Sequence, residues 1–231
     1  MLYRNELRLL LRDGRGLLLV LSGLLLTVAS ATTGGWIAGA ERHAHDHAAA
    51  HARTSWLERE PDNPHGRAHF GDFVFRPVGP LAGLDPGVQS VTGRTLFLEA
   101  HSQNAPMHVP EAAASSLMRF PRLTPALVLQ ALVPLLLILA GFASVAGERE
   151  SGRLRLLLLQ GARPGQIVGA KALALWTVGA LLSFAAVAVH GAVHGPAEPG
   201  RLMLFLGLHL ALAWIVATGT VWISSRARTA G

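Results

Sequence analysis

LTPALVLQALVPLLLILAGFASVAG, residues 123 to 147, contains no charged side chain, and it runs directly into ERESGRLRLLLLQGARP, residues 148 to 164, where charge returns in a cluster. At 1.5 Å per residue, a helix of about 25 residues crosses a hydrocarbon core of roughly 30 Å. Residues 16–40, 172–197 and 202–225 form three further uncharged blocks of similar length. Unpaired charge is costly in hydrocarbon, so this segregation is what a bilayer demands. The expected fold class is therefore an all-α polytopic membrane protein of about four transmembrane helices, with a small mixed extracytoplasmic domain between the first two.

Composition agrees. The chain has 231 residues, half of them hydrophobic, and its mean hydropathy is positive despite 20 Lys and Arg side chains. A net charge of +6 invites a nucleic-acid reading. The basic residues, however, flank apolar blocks and form no stripe interleaved with aromatics, so no nucleic-acid partner is expected. The absence of cysteine excludes disulfides and thiolate metal sites, and any metal would need His, Asp or Glu.

Basic residues in short loops set orientation. Arg4, Arg8, Arg12 and Arg15 precede the first block, while Arg149, Arg153, Arg155, Arg163 and Lys171 separate the second from the third. This places 1–15 as a cytoplasmic amphipathic helix, 16–40 as the first span, 41–122 as the extracytoplasmic domain and 123–147 as the second span. A cytoplasmic loop at 148–171, spans at 172–197 and 202–225, and a cytoplasmic tail at 226–231 complete the expected order. Both termini are then cytoplasmic, in a multi-pass protein of the plasma (inner) membrane. Ala29-Ser30-Ala31 has the small-residue look of a signal cleavage site, but the uncharged stretch continues to Trp36 and Ile37, which suits an uncleaved helix ending in an interfacial aromatic.

The outer segment begins with Ala-, His- and charge-rich sequence, from Glu41 to Glu60, that can prolong the first helix until Pro61, Pro64 and Gly66 end it. Asp72 to Pro77, followed by turn residues, and Thr95 to Leu98 read as short strands. In the inner loop Leu154, Leu157 and Leu158 recur at helical spacing, and Gly161 with Pro164 can stop a short amphipathic helix. On residues alone, an ordinary interfacial loop is an equally good reading.

Glu148-Arg149-Glu150-Ser151-Gly152-Arg153-Leu154, with Leu157-Leu158, Pro164, Ile167, Gly169 and Lys171, resembles the cytoplasmic loop of ABC transporter permeases of type 2, the export family. There an acidic-Arg-Glu-x-Gly-Thr-Leu pattern precedes a Pro and a Gly-Lys pair. Here Arg153 stands where Thr is usual, and Ala170 separates Gly169 from Lys171. Asn5 to Asp13 is similar to the amphipathic helix that precedes the first span in that family. Arg76 to Gly87 with Leu98 to Asn104 resembles a subgroup with a large extracytoplasmic loop after the first helix.

The resemblance implies a membrane-spanning permease subunit of an ATP-binding cassette transporter, with the inner loop as a coupling helix docking on a separate ATPase subunit. It nominates Glu148, Arg149, Glu150, Gly152, Leu154, Leu157, Leu158, Pro164 and Lys171 as coupling residues. It also implies a second permease subunit, as homo- or heterodimer. Members usually carry six spans, so the expectation is a partial or truncated member, or one completed by another subunit. No Gly-x-x-x-x-Gly-Lys-Ser/Thr phosphate loop is present, so ATP is expected on the partner, and the chain is read as a transporter component, not an enzyme.

Eleven histidines give two competing readings. His43, His47 and His51, at i, i+4 and i+8, share one helix face and could hold zinc or copper, as a His-rich metal-binding protein or metalloenzyme would require. His65 with His69, and His190 with His194, repeat the spacing. A solvated Ala- and His-rich helix without metal explains the same residues. The orientation puts these pairs outside, whereas the histidine boxes of membrane desaturases gather on the cytoplasmic side, and no His-Glu-x-x-His motif occurs. A non-catalytic membrane anchor presenting the outer domain is the remaining class, but one span would suffice for it.

Overall fold

The structure is a computed structural model that describes residues 2–60, 63–107, 122–195 and 198–229. Among these described residues are four helices long and apolar enough to cross a membrane: Gly14–Leu57, Pro125–Glu150, Pro164–His194 and Pro199–Arg226. The chain divides into two compact units, Met1–Thr32 with Leu123–Gly231, and Thr33–Arg122. The helix Gly14–Leu57 contributes to both, and its 44 residues make it about twice as long as a hydrocarbon core is thick.

The first unit is the helical bundle. Its leading helix, Leu2–Arg12, half-buries Leu2, Tyr3, Glu6, Leu7 and Leu10 along one face and exposes Arg4, Arg8 and Arg12 on the other. The chain then turns sharply at Asp13. Gly16 makes the turn possible, because a Cβ there would sit 2.2 Å from the Leu10 carbonyl oxygen.

The second spanning helix is interrupted twice. Thr124 caps its start by accepting from the Leu127 amide at 3.1 Å, and Pro125 occupies the first turn, where its missing N–H costs nothing. A π-helical turn, Val128–Leu132, accommodates Pro134, which cannot donate to the preceding turn. The helix breaks again after Gly141 and resumes at Ala146–Glu150. Backbone amides freed inside a membrane need partners. The Ser224 hydroxyl, from the last helix, accepts from Val145 N at 3.1 Å and Ala146 N at 3.3 Å.

The third and fourth helices form the most extensive pairing. Gly179 lets them approach, since its Cβ would lie 2.7 Å from that of Ala213. Small residues serve this purpose in membrane bundles, where lipid tails remove the hydrophobic drive to associate. Trp176 donates through Nε1 to the Leu210 carbonyl at 3.0 Å and meets Trp214 edge to face.

One boundary differs from the sequence expectation. The third helix begins at Pro164, not near Ala172, so Lys171 lies two turns inside it. Charge ordinarily marks the end of an apolar block; here it lies within the helix, buried and paired.

In the second unit, strand β1 (Asp72–Phe75) pairs antiparallel with β2 (Thr95–Leu98), Phe73 opposite Phe97. The short helix Pro64–Phe70 is capped by Asn63, which accepts from Gly66 N at 2.6 Å. Leu84 is wholly buried at the centre of the intervening turns. The Glu41 carboxylate is held by Arg94 at 2.7 Å and Arg122 at 2.9 Å, and Arg59 pairs with Asp72 at 3.0 Å. The elements agree with the small mixed domain expected between the first two spans.

Candidate functional site

Lys171 is the focus of the bundle's polar chemistry. Its Nζ donates to Glu6 Oε2 and to Glu148 Oε1, both at 2.8 Å, and its side chain is only 4% exposed. Glu6 comes from the leading helix, Glu148 from the end of the second spanning helix and Lys171 from the third, so one ammonium fastens three elements. Tyr3 adds a second tie, its hydroxyl 3.0 Å from Thr177 Oγ1. A buried ion pair is weak evidence for net stability, but removing one partner leaves an uncompensated charge that is strongly destabilising.

The coupling candidates separate by role. Glu148 and Lys171 are brought together. Arg149 lies over the end of the last helix, its guanidinium donating to the carbonyls of Ser225, at 2.7 Å, and Ala227. A cation there satisfies orphan carbonyls and complements the helix dipole. Glu150 is exposed. Gly152, at φ 74°, adopts the left-handed conformation that starts the short helix Arg153–Leu159. That helix ends in a Schellman motif: Ala162 N donates to Leu157 O at 3.1 Å and Gly161 N to Leu158 O at 3.0 Å, with Gly161 at φ 86°. Pro164 then fills the first position of the third helix.

The face presented by the short helix differs in detail from the sequence reading. Leu154 and Leu157 are half-buried, while Leu156, Leu158 and Leu159 are 58%, 42% and 74% exposed. Of these, spacing singles out Leu158 alone and not Leu156 or Leu159, because four consecutive leucines carry no period that distinguishes one face from another. Glu6 and Ser224 were missed as site residues as well. The only available signal for Glu6 was that it is the single acid among the apolar positions of an otherwise basic helix.

Beside Lys171 lies a cleft of about 540 Å³, bordered by the leading helix and the start of the first spanning helix on one side and by the second and third spanning helices on the other. Its lining is divided between ionic groups, Glu148 and Lys171 among them, and apolar side chains.

His43, His47 and His51 lie exposed along the helix of the second unit, with His45 Nδ1 3.0 Å from Asp46 Oδ1. Among the described residues no three His, Asp or Glu side chains gather in a position to hold an ion. The His65 and His69 Nε2 atoms are 3.2 Å apart, within hydrogen-bonding distance.

A family model described as ABC-2 family transporter protein matches residues 1–231, the whole chain. No curated protein and no solved structure matches it.

Proposed function

As a member of the ABC-2 transporter family, the chain is a membrane-spanning permease subunit of an ABC transporter, and we propose that the segment Glu148 to Pro164 couples it to ATP hydrolysis by a separate ATPase subunit. The observation that carries this reading is the exposed leucine patch, Leu156, Leu158 and Leu159, on a helix whose preceding residues are tied into the bundle through Glu148 and Lys171. An exposed apolar patch rimmed by charge marks a contact surface for a protein or a membrane, and the family's reliance on an ATPase partner favours a protein here. Arg153 and Arg155 supply that rim. A push on the patch travels through Glu148 to Lys171, and from there to both the third helix and the leading helix.

In this reading the loop and both termini face the cytoplasm, as the arginine distribution favours. Residues 41–122 form the large extracytoplasmic loop of the subgroup, a reading supported by the separate compact unit Thr33–Arg122. Two permease subunits pair to frame the transport path, and ATP binds only to the partner ATPase.

Replacement of Leu156 and Leu159 by Asp in proteoliposomes containing permease and ATPase subunits should abolish the stimulation of ATP hydrolysis by the permease. Undiminished stimulation would remove the docking assignment. A cysteine introduced at Arg155 should resist membrane-impermeant maleimide in intact cells; labelling from outside would invert the orientation.

A further inference from the structure

We propose that the cleft beside Lys171 binds a phospholipid with a primary ammonium headgroup, of the phosphatidylethanolamine class. Two carboxylates, Glu6 and Glu148, face one ammonium, Lys171, and all three are nearly excluded from solvent. Glu148 spends Oε1 on Lys171, and its Oε2 is buried with no hydrogen-bond partner. The Ser144 hydroxyl, one helical turn earlier, is buried and unpartnered too. Such an oxygen, above all on a carboxylate, carries an uncompensated desolvation cost.

Both residues line the cleft. What would satisfy them is a cation with several N–H donors, which a primary ammonium has and a quaternary ammonium lacks. The same cleft is lined by Arg15 and Arg153, guanidinium groups suited to a phosphate, with Asp13 as its third carboxylate. Leu19, Leu139, Phe142 and Leu175 supply an apolar wall for the start of an acyl chain. Acceptors for an ammonium, cations for a phosphate and an apolar wall together describe a zwitterionic amphiphile. At about 540 Å³ the cleft falls in the size range of small-molecule sites. Access of the ammonium to Oε2 needs a side-chain rotation of Glu148, because that oxygen is buried. The inference rests on the membrane placement of the bundle and is independent of ATPase docking.

The test is native mass spectrometry of the detergent-solubilised full chain with equimolar dioleoyl phosphatidylethanolamine, phosphatidylcholine and phosphatidylglycerol. The ethanolamine lipid should be retained over the other two by at least about five-fold, the worth of one hydrogen bond. Glu148→Gln should level that preference; Ser144→Ala, which leaves the ion pairs intact, should reduce it by a few-fold and keeps the test decisive if the first variant fails to fold. Equal retention of the choline lipid, preference for the glycerol lipid, or a preference surviving both substitutions would overturn the proposal. So would displacement of the lipid by an equimolar amount of soluble phosphoethanolamine, which would mark a site for a soluble zwitterion only. ATPase stimulation is measured separately, so failure of lipid selectivity leaves the coupling reading standing, and the reverse.

Discussion

Lys171 Nζ and Glu148 Oε1 stand 2.8 Å apart across the interval from the second spanning helix to the third, so an ion pair closes the base of the connection between them. The same ammonium reaches Glu6, 165 positions away in sequence. Replacing Lys171 with Met leaves two buried carboxylates facing each other without a counterion. From the cost of breaking a buried pair, the variant should lose about 3–5 kcal/mol of stability. Adding Glu148→Gln should recover part of it, because the second change removes one of the stranded charges. Thermal unfolding in detergent checks both, and additive losses in the double variant would show that the two residues are energetically independent.

Ser224 and Val145 give a second prediction. The hydroxyl serves two backbone amides at the break in the second spanning helix. Ser224→Ala should lower stability by about 1–3 kcal/mol, the cost of leaving buried donors unpaired. Ser224→Thr keeps the oxygen and should cost less. Equal losses in the two variants would assign the effect to packing.

How much of this was legible in the sequence depends on the range of the interaction. The four spans stood out because hydrocarbon excludes charge, a rule that acts locally and therefore leaves uninterrupted apolar blocks. β1 and β2 were readable from aromatic and β-branched residues bounded by turns. The start of the third helix was not, because the rule that charge ends a span fails when the charge is neutralised, and its neutralising partner Glu6 is remote in sequence. Ser224 was invisible for the same reason. Its role exists only once the second helix breaks opposite it, and a serine within an apolar run reads as a packing residue.

Glu41 and its two arginines test the second unit. Arg94 and Arg122 each hold one oxygen of the carboxylate, joining the helix to β2's approach and to the residue that closes the unit. Glu41→Gln should speed limited proteolysis within residues 63–107 several-fold, since local opening exposes cleavage sites in proportion to the stability lost. Arg122→Ala should have a smaller effect than Arg94→Ala, because the side chain of Arg122 is half exposed and that of Arg94 is 15% exposed, and exposed pairs contribute little. The reverse order would mean that Arg122 is the stronger anchor.

The close approach of Gly179 and Ala213 makes the sharpest packing prediction. A methyl group added at Gly179 meets the Ala213 Cβ at 2.7 Å, inside contact distance, and neither atom belongs to a flexible side chain. The two helices must therefore separate locally. Gly179→Ala should destabilise the bundle by about 1–3 kcal/mol, as overpacking does. Because the clash is between one pair of atoms, Ala213→Gly in the same chain removes it and should restore most of the loss. Measured by thermal unfolding, the double variant should thus be more stable than Gly179→Ala alone. If it is less stable, the third and fourth helices are held by contacts elsewhere along their length, and the small-residue seam is not what sets their distance.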